Sequence, residues 1–487
     1  MAGRFLSMFG PLSRFMPEVG SPIRKVSFNE KLFWTGLALV IYLVMSQTPL
    51  FNVTEGNDDL GAIRVIFASN RGTLTELGIG PIVTGGLILQ LLIGSGIIGA
   101  DLGNPEDRSL FTAANKFFSI LLTGVQAAAY LIGGVYNYTD ATTGAVISPD
   151  PTTALIIFIQ LLCAGVILML LDEMIQKGWG IGSGISLFIL SGVAQRIMWS
   201  SFSPNAGTDG RFYGAFLALG ETIAGGKPIG DAFFRFAENA DGVMVPTQDP
   251  TMLGFIATIL VFVIVIYIEG VRVELPISHA NYRGFRGKYP IKLLYVSNLP
   301  VIFASALFAN VLVFAQLLQS QFPNNFWVNL LGTFSTDTAN RVPNGGLAYY
   351  VTSPGNLYAV ADDPIRAVVF VGIMVGFSVV FSLTWLEVGG LGPNTVAKQL
   401  VDSGMQIPGF RRSGKSIEII LKRYIPVVTI LGGAIIGLIA SLAEFFGVFG
   451  SGMGILLAVG ILYQYYQLLV QEQVAEMYPA LGRVLGG

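Results

Sequence analysis

The chain has 487 residues, 53% of them hydrophobic and only 12% charged, with a net charge of −2. Soluble domains carry roughly 25% charged residues, so the water-facing shell of a soluble fold is missing and the bilayer is the main solvent. One cysteine (Cys163) and one histidine (His279) exclude an intramolecular disulfide, a thiolate cluster and a multi-histidine metal site, and the near-neutral charge excludes a chain-wide basic field for nucleic acid.

The first 31 residues are polar, with Pro11, Pro17 and Pro22, and hold no apolar core of signal-peptide length. A spanning helix needs about 20 mostly apolar residues. Ten candidates follow: Leu32–Ser46, Leu77–Ile98, Leu110–Val135, Thr153–Leu171, Ile181–Trp199, Met252–Ile268, Ile291–Leu318, Pro364–Leu386, Tyr424–Leu442 and Gly452–Val470. The first and fifth are short for a span.

Between the first two spans, Asn57–Arg71 is polar at both ends around the apolar run Ile63, Arg64, Val65, Ile66 and Phe67. It is too short to cross and is allowed at membrane depth only where it lines a cavity. Glu76–Gly86 then opens the second span, with glycines that permit close helix approach and Pro81 in the first turn, where its missing N–H is tolerated. Gly178–Ile185 opens the fifth span in the same manner, after Asp172 and Glu173. The outer loop Ser200–Thr251 is acidic, with six Asp or Glu against three Lys or Arg.

Two loops on the opposite side are basic. The first, His279 to Lys288, contains Arg283, Arg286 and Lys288 between Pro276 and Pro290. The second, Gly409 to Ser416, fits the letters of a phosphate-binding loop, but lies between two spans and has no nucleotide domain around it. Its Arg411, Arg412 and Lys415 read as a solvated basic knob. Both clusters fit either anionic lipid or a large anionic partner. The sequons at Asn52 and Asn137 lie close to span ends, where they are expected to go unused.

Ten spans leave both termini on one side. With the N-terminus cytoplasmic, 20 of the 28 Lys and Arg fall inside, as the positive-inside rule requires. All five tryptophans sit at or just beyond a span end, the level expected for indole rings. Five spans followed by five makes the second half inverted relative to the first. The span centres hold essentially no Asp, Glu, Lys or Arg; Lys116 and Arg196 are expected near ends, where long side chains snorkel to the interface. A charge-free midplane disfavours pumps and ion-coupled transporters. It leaves a passive pore or a secondary transporter of a neutral small solute; a lipid-processing enzyme would need a nucleophile and base inside the spans, and none is visible.

Five stretches together resemble one family, the SecY or Sec-alpha subunit of the protein-conducting channel, in its archaeal form. They are Leu77–Thr84, Leu171–Phe188, Arg272–Pro276, Lys288–Lys292 with Tyr295–Pro300, and Lys422–Pro426. The resemblance runs from about Phe28 to the C-terminus. It implies an all-α polytopic membrane protein, ten transmembrane helices in two inverted five-helix halves (1–225 and 226–487) around a central pore, with Ser200–Thr251 as the hinge. It further implies a pore ring of Ile79, Val83, Ile185, Ile189, Ile302 and Leu457, and a plug at about Asn57–Gly72. A lateral gate would lie between spans two and three and spans seven and eight, with Thr84 and Asn298 as its polar residues. Arg283, Arg286, Lys288, Arg411, Arg412 and Lys415 would dock a ribosome or another cytosolic motor or targeting factor. The implied partners also include small SecE/Sec-gamma-type and Sec-beta-type membrane subunits and secretory or membrane polypeptides bearing signal sequences. No catalytic residue, metal or cofactor is expected, and the expected location is the plasma membrane with both termini cytoplasmic. Gly85 departs from the resemblance, which implies a small residue with a side chain at that position.

Overall fold

The computed structural model describes residues 4–13, 16–53, 68–94, 97–99, 105–139, 146–238, 244–247, 249–279, 286–294, 296, 299–322, 325–334, 343–403, 405–406 and 414–477. Among them are ten helices of 15 residues or more, one on each expected span. They are α1 (Phe28–Gln47), α2 (Gly80–Gly94), α3 (Pro105–Ile132), α4 (Pro151–Met174), α5 (Gly184–Phe202), α6 (Met252–Gly270), α7 (Leu299–Gln321), α8 (Pro364–Val388), α9 (Gly414–Phe445) and α10 (Gly452–Met477). By length and composition, seven are long and apolar enough to cross a membrane. Of the other three, α2 and α7 contribute shorter apolar stretches among the described residues, Gly80–Ile93 and Pro300–Gln316, and α3 carries Glu106, Asp107, Arg108 and Lys116.

Three boundaries depart from expectation, each for a local reason. α1 reaches 20 residues because Ser27 and Glu30 form a capping box, each side chain accepting from the other's backbone N–H, which starts the helix before the apolar run. α5 keeps the expected 19 residues but begins three residues later, at Gly184, after the glycine-rich turn. The seventh span begins at Leu299 and not at Ile291. Ile291 belongs instead to a hairpin between α6 and α7, of β1 (Arg272–His279) and β2 (Arg286–Lys292), paired antiparallel from Arg272↔Lys292 to Ser278↔Arg286. β3 (Met405–Gln406) adds to β1 through His279↔Met405 and Ser278↔Gln406. Leu275 and Ile291 are buried in a second core with Val396, Leu400, Leu421 and Ile425, so the alternation of the hairpin, not a helix, uses those apolar residues.

Close backbone approach sets the helix packing. Gly433 and Gly437 lie four apart on α9; a Cβ on Gly437 would sit 2.9 Å from the Cα of Val375 on α8, and one on Gly433 3.1 Å from the carbonyl oxygen of Ser378. Between α2 and α3 the equivalent point is Gly85, where a Cβ would meet the Ser119 nitrogen at 3.2 Å. Gly85 thus lets the two helices approach, as the glycines that open this span were expected to do.

On the outer side, residues 203–251 form a small folded insertion with helices Ala215–Ala224 and Gly230–Phe233 and a hairpin Phe236–Glu238/Met244–Pro246. Its centre is Arg235, fully buried. The Arg235 guanidinium donates to both carboxylate oxygens of Asp209 (2.8 and 2.5 Å) and to the carbonyls of Tyr213 (3.0 Å) and Pro250 (3.1 Å). Burial pushes the Asp209 carboxyl up, but the hydrogen bonds and charges of Arg235 and Arg211 outweigh it and hold the group at about 2. The insertion is one unit that straddles the 225/226 division between the halves.

Candidate pore and gate

The main apolar cluster collects residues from most of the spans. All six expected ring residues belong to it: Ile79, Ile189 and Leu457 are buried, while Val83, Ile185 and Ile302 are partly buried against it. Their placement follows from local structure. Ile79 is in the turn before α2, and its carbonyl accepts the Val83 N–H (3.0 Å), which puts the two on successive turns. Ile185 and Ile189 are one turn apart at the start of α5, Ile302 is in the first turn of α7, and Leu457 is in the second turn of α10. The six residues thus sit at helix beginnings in both halves.

The start of α5 is held by a carboxylate that the sequence reading passed over. Asp172, at the end of α4, accepts from the Ile185 N–H (3.0 Å) and the Ser183 hydroxyl (3.3 Å), capping the helix that carries two ring residues. A Cβ on Gly184 would lie 2.6 Å from the Cα of Asp172, so only glycine permits this approach. The pairing of Asp172 and Glu173 before a glycine-rich turn was the available signal.

Lys116 finds its partner inside the protein. α3 begins at Pro105, which places Lys116 three turns inside it, and its Nζ lies 2.6 Å from Glu173 Oε1, with the two side chains only 12% and 9% exposed. Glu173 also meets Lys177 (2.9 Å), which reaches Glu18 of the N-terminal segment (2.5 Å). A lone charge at membrane depth costs about 2.5–3.5 kcal/mol, so the lysine is tolerated where a carboxylate meets it.

The halves meet along two unlike seams. On one, the Tyr465 hydroxyl on α10 accepts from the Ser183 N–H (3.1 Å) and donates to the Ser183 carbonyl (2.9 Å), and Lys31 on α1 pairs with Glu472 on α10 (2.6 Å). Gly182, at φ +77°, leaves room for that hydroxyl, since a Cβ would lie 2.6 Å from it. On the other seam α2 packs against α7 and α8. Thr84 is half-buried on α2, whereas Asn298 lies outside the described residues.

The expected plug residues Ile63 to Phe67 also lie outside the described residues, but the segment that follows is well tied. Tyr42 on α1 donates to the Ala68 carbonyl (3.1 Å), Asn70 donates to the Ser46 carbonyl (3.1 Å), and the Glu76 carboxylate accepts the Gly72 N–H. Ala68 belongs to the same cluster as the ring residues.

Of the six expected docking residues, Arg283, Arg411 and Arg412 lie outside the described residues, as do the side chains of Arg286 and Lys415. Lys288 is on β2, 70% exposed, and its Nζ binds Glu274 across the hairpin at 2.5 Å. The β1–β3 pairing sets His279 and Gln406, the last described residues before the two basic stretches, on neighbouring strands.

The chain matches the SecY family over residues 73–466 and the plug domain of Sec61p over residues 40–72. Among solved structures it is similar to one described as a protein-conducting channel, at 37% identity over 96% of this chain and 98% of that one, with a TM-score of 0.77. It is also similar to Sec61 in the canine ribosome–channel complex from the endoplasmic reticulum (37% identity, 96% and 98% coverage, TM-score 0.75). A third is the idle yeast Ssh1 complex bound to the yeast 80S ribosome (26% identity, 96% and 94% coverage, TM-score 0.75). The likeness spans both inverted halves and the segment that follows α1, and the chain belongs to the SecY family of protein-conducting channels.

Proposed function

We propose that the chain is the central, passive conduit for secretory polypeptides, sealed at rest by Ile79, Val83, Ile185, Ile189, Ile302 and Leu457. The observation that carries this reading is the joining of these six aliphatic residues, from four segments of both halves, in one apolar cluster. A passenger varies in charge and shape, so fixed charges at the waist would trap some sequences. Branched aliphatic side chains bind none tightly, deform around any backbone, and block ions by dewetting when closed.

The plug around Ile63–Phe67 closes the pore from outside, and the lateral gate runs between α2–α3 and α7–α8, with Thr84 and Asn298 on its faces. Apolar passenger segments leave through it because burying Leu, Ile or Phe in lipid is favourable by about 0.3–0.6 kcal/mol per residue, against a cost of roughly 2.5–3.5 for a charge. The halves 1–225 and 226–487 move about the outer insertion, braced by small SecE/Sec-gamma-type and Sec-beta-type subunits. Arg283, Arg286, Lys288, Arg411, Arg412 and Lys415 dock the ribosome, a reading supported by the ribosome complexes among the solved relatives and by the neighbouring strands that lead into the two basic stretches. The chain supplies no chemistry; chain elongation or a bound motor supplies the energy. It lies in the plasma membrane with both termini in the cytoplasm.

Planar-bilayer conductance tests the seal. Ile79→Gly combined with Ile185→Gly is expected to raise the resting ion leak, and a stalled secretory chain is expected to crosslink to probes at Val83 and Ile302. An unchanged leak with no crosslink removes these residues from the conduit, and saturable uptake of a small solute would replace the channel reading altogether.

A further inference from the structure

The outer loop between α7 and α8 contains a short helix, Phe326–Leu331, whose two faces have separate fates. Inward, Val328 is buried and Leu331 packs against Leu312, Ala315, Phe334 and Ala348. Outward, Phe326 and Trp327 are 71% and 74% exposed, and Leu330 and the preceding Phe322 are also exposed. Asn325 caps the helix by accepting the Trp327 N–H (3.0 Å), which fixes the exposed rings on rigid backbone.

We propose that this face is embedded in the outer leaflet, so that the loop is an interfacial anchor beside the gate helix α7. The first reason is continuity. On α7 the exposed apolar residues Leu307, Phe314 and Leu318 recur at helical spacing along one face, and Phe322 continues that face to the base of the short helix. The outward rings thus extend an exposed apolar stripe that runs the length of α7.

The second reason is charge. From Leu293 to Thr336 the sequence holds no Asp, Glu, Lys or Arg, although its last part is a loop outside the spans. The other large outer insertion, 203–251, carries nine such residues, as a water-facing unit requires. Third, an aromatic pair suits the interface: Phe326 and Trp327 pack edge to face with centroids 5.7 Å apart, and an indole is favoured at headgroup level. Lipid packing in the outer leaflet would then act directly on the end of a gate helix.

The test uses the full chain, with its membrane partners, in vesicles of phosphatidylcholine and phosphatidylglycerol. With Cys163 replaced by Ser, an environment-sensitive fluorophore is placed by Trp327→Cys and, for comparison, by Asp231→Cys, an exposed site on the charged insertion. The label at 327 is expected to lose most of its emission to lipids brominated near the headgroup and little to aqueous iodide, with the reverse at 231. Phe326→Cys repeats the measurement if the first variant assembles poorly. Iodide quenching at 327 equal to that at 231 overturns the proposal. So does protection from both quenchers with crosslinking to a protein, because a subunit, a second copy or a passenger would then cover this face.

Discussion

The waist of the molecule and its outer insertion between α5 and α6 solve opposite problems with opposite materials. The waist joins both halves through side chains that make no directional bond, Ile79, Val83, Ile185, Ile189, Ile302 and Leu457. The insertion also joins residues from both sides of the 225/226 division, but through a buried guanidinium with fixed partners, Arg235 with Asp209 and the carbonyls of Phe212, Tyr213 and Pro250. Contacts without direction can part and re-form around a passenger, whereas a bidentate ion pair tolerates little displacement. The difference locates the yielding part of the chain at its centre and an unyielding joint at its outer rim.

The largest expected effect lies in that joint. Arg235→Ala leaves the buried Asp209 with Arg211 as its remaining cation and should destabilise the insertion by about 1.5–3 kcal/mol, read as protease cleavage within 203–251 well below the melting of the helices. The pH dependence has a definite sign. The Asp209 carboxyl is held below its unfolded value, at about 2, so its contribution is complete above roughly pH 4 and is lost as pH falls toward 2. Protease resistance that survives Arg235→Ala would break the contrast, since the insertion would then be held by apolar contacts like the waist.

A smaller effect sharpens the other side. The waist is apolar, but α5 is aimed by Asp172, which bonds the Ile185 N–H. Asp172→Ala removes this cap, at about 0.5–2 kcal/mol, and should raise the resting ion leak although no ring residue has changed. Asp172→Asn keeps an acceptor oxygen and should leak less than Asp172→Ala. Equal leaks from both variants would mean that packing alone positions Ile185 and Ile189.

Much of this was legible in the sequence, and the illegible part has a common cause. Apolar runs located the ten helices because lipid demands length and composition, and the family stretches around Leu77 and Gly178 lead to ring residues that share one cluster. Pairings distant in sequence were hidden: Lys116 with Glu173, Arg235 with Asp209, Tyr465 with Ser183. Each looks unremarkable in its own segment, and only the fold supplies its partner. The glycines opening the second span were legible as sites of close approach, but the partner of Gly85, Ser119 across the gap, was not. Ile291 was assigned to a span because an apolar strand filling a cytoplasmic core has the composition of a helix end.

The smallest expected effect concerns the cytoplasmic face, where the contrast between yielding and fixed contacts takes a third form. Lys288 and Glu274 form an ion pair in water, with the lysine 70% exposed, so side-chain entropy and salt cancel most of its attraction. The Lys288 hydrogen bond and charge hold the Glu274 carboxyl below its usual range. Lys288→Gln lets that carboxyl return toward the usual range, which changes its ionisation only in acid. At neutral pH the hairpin should therefore melt as before. Ribosome binding gives the sharper reading, because the variant removes one positive charge and leaves Glu274 unpaired beside the basic loops. Affinity should fall slightly, and much less than for Arg283→Glu with Arg411→Glu, with the loss growing as salt is lowered. A loss as large as that of the double reversal would make Lys288 a direct contact that exchanges Glu274 for the partner, and the pair a contact built to break.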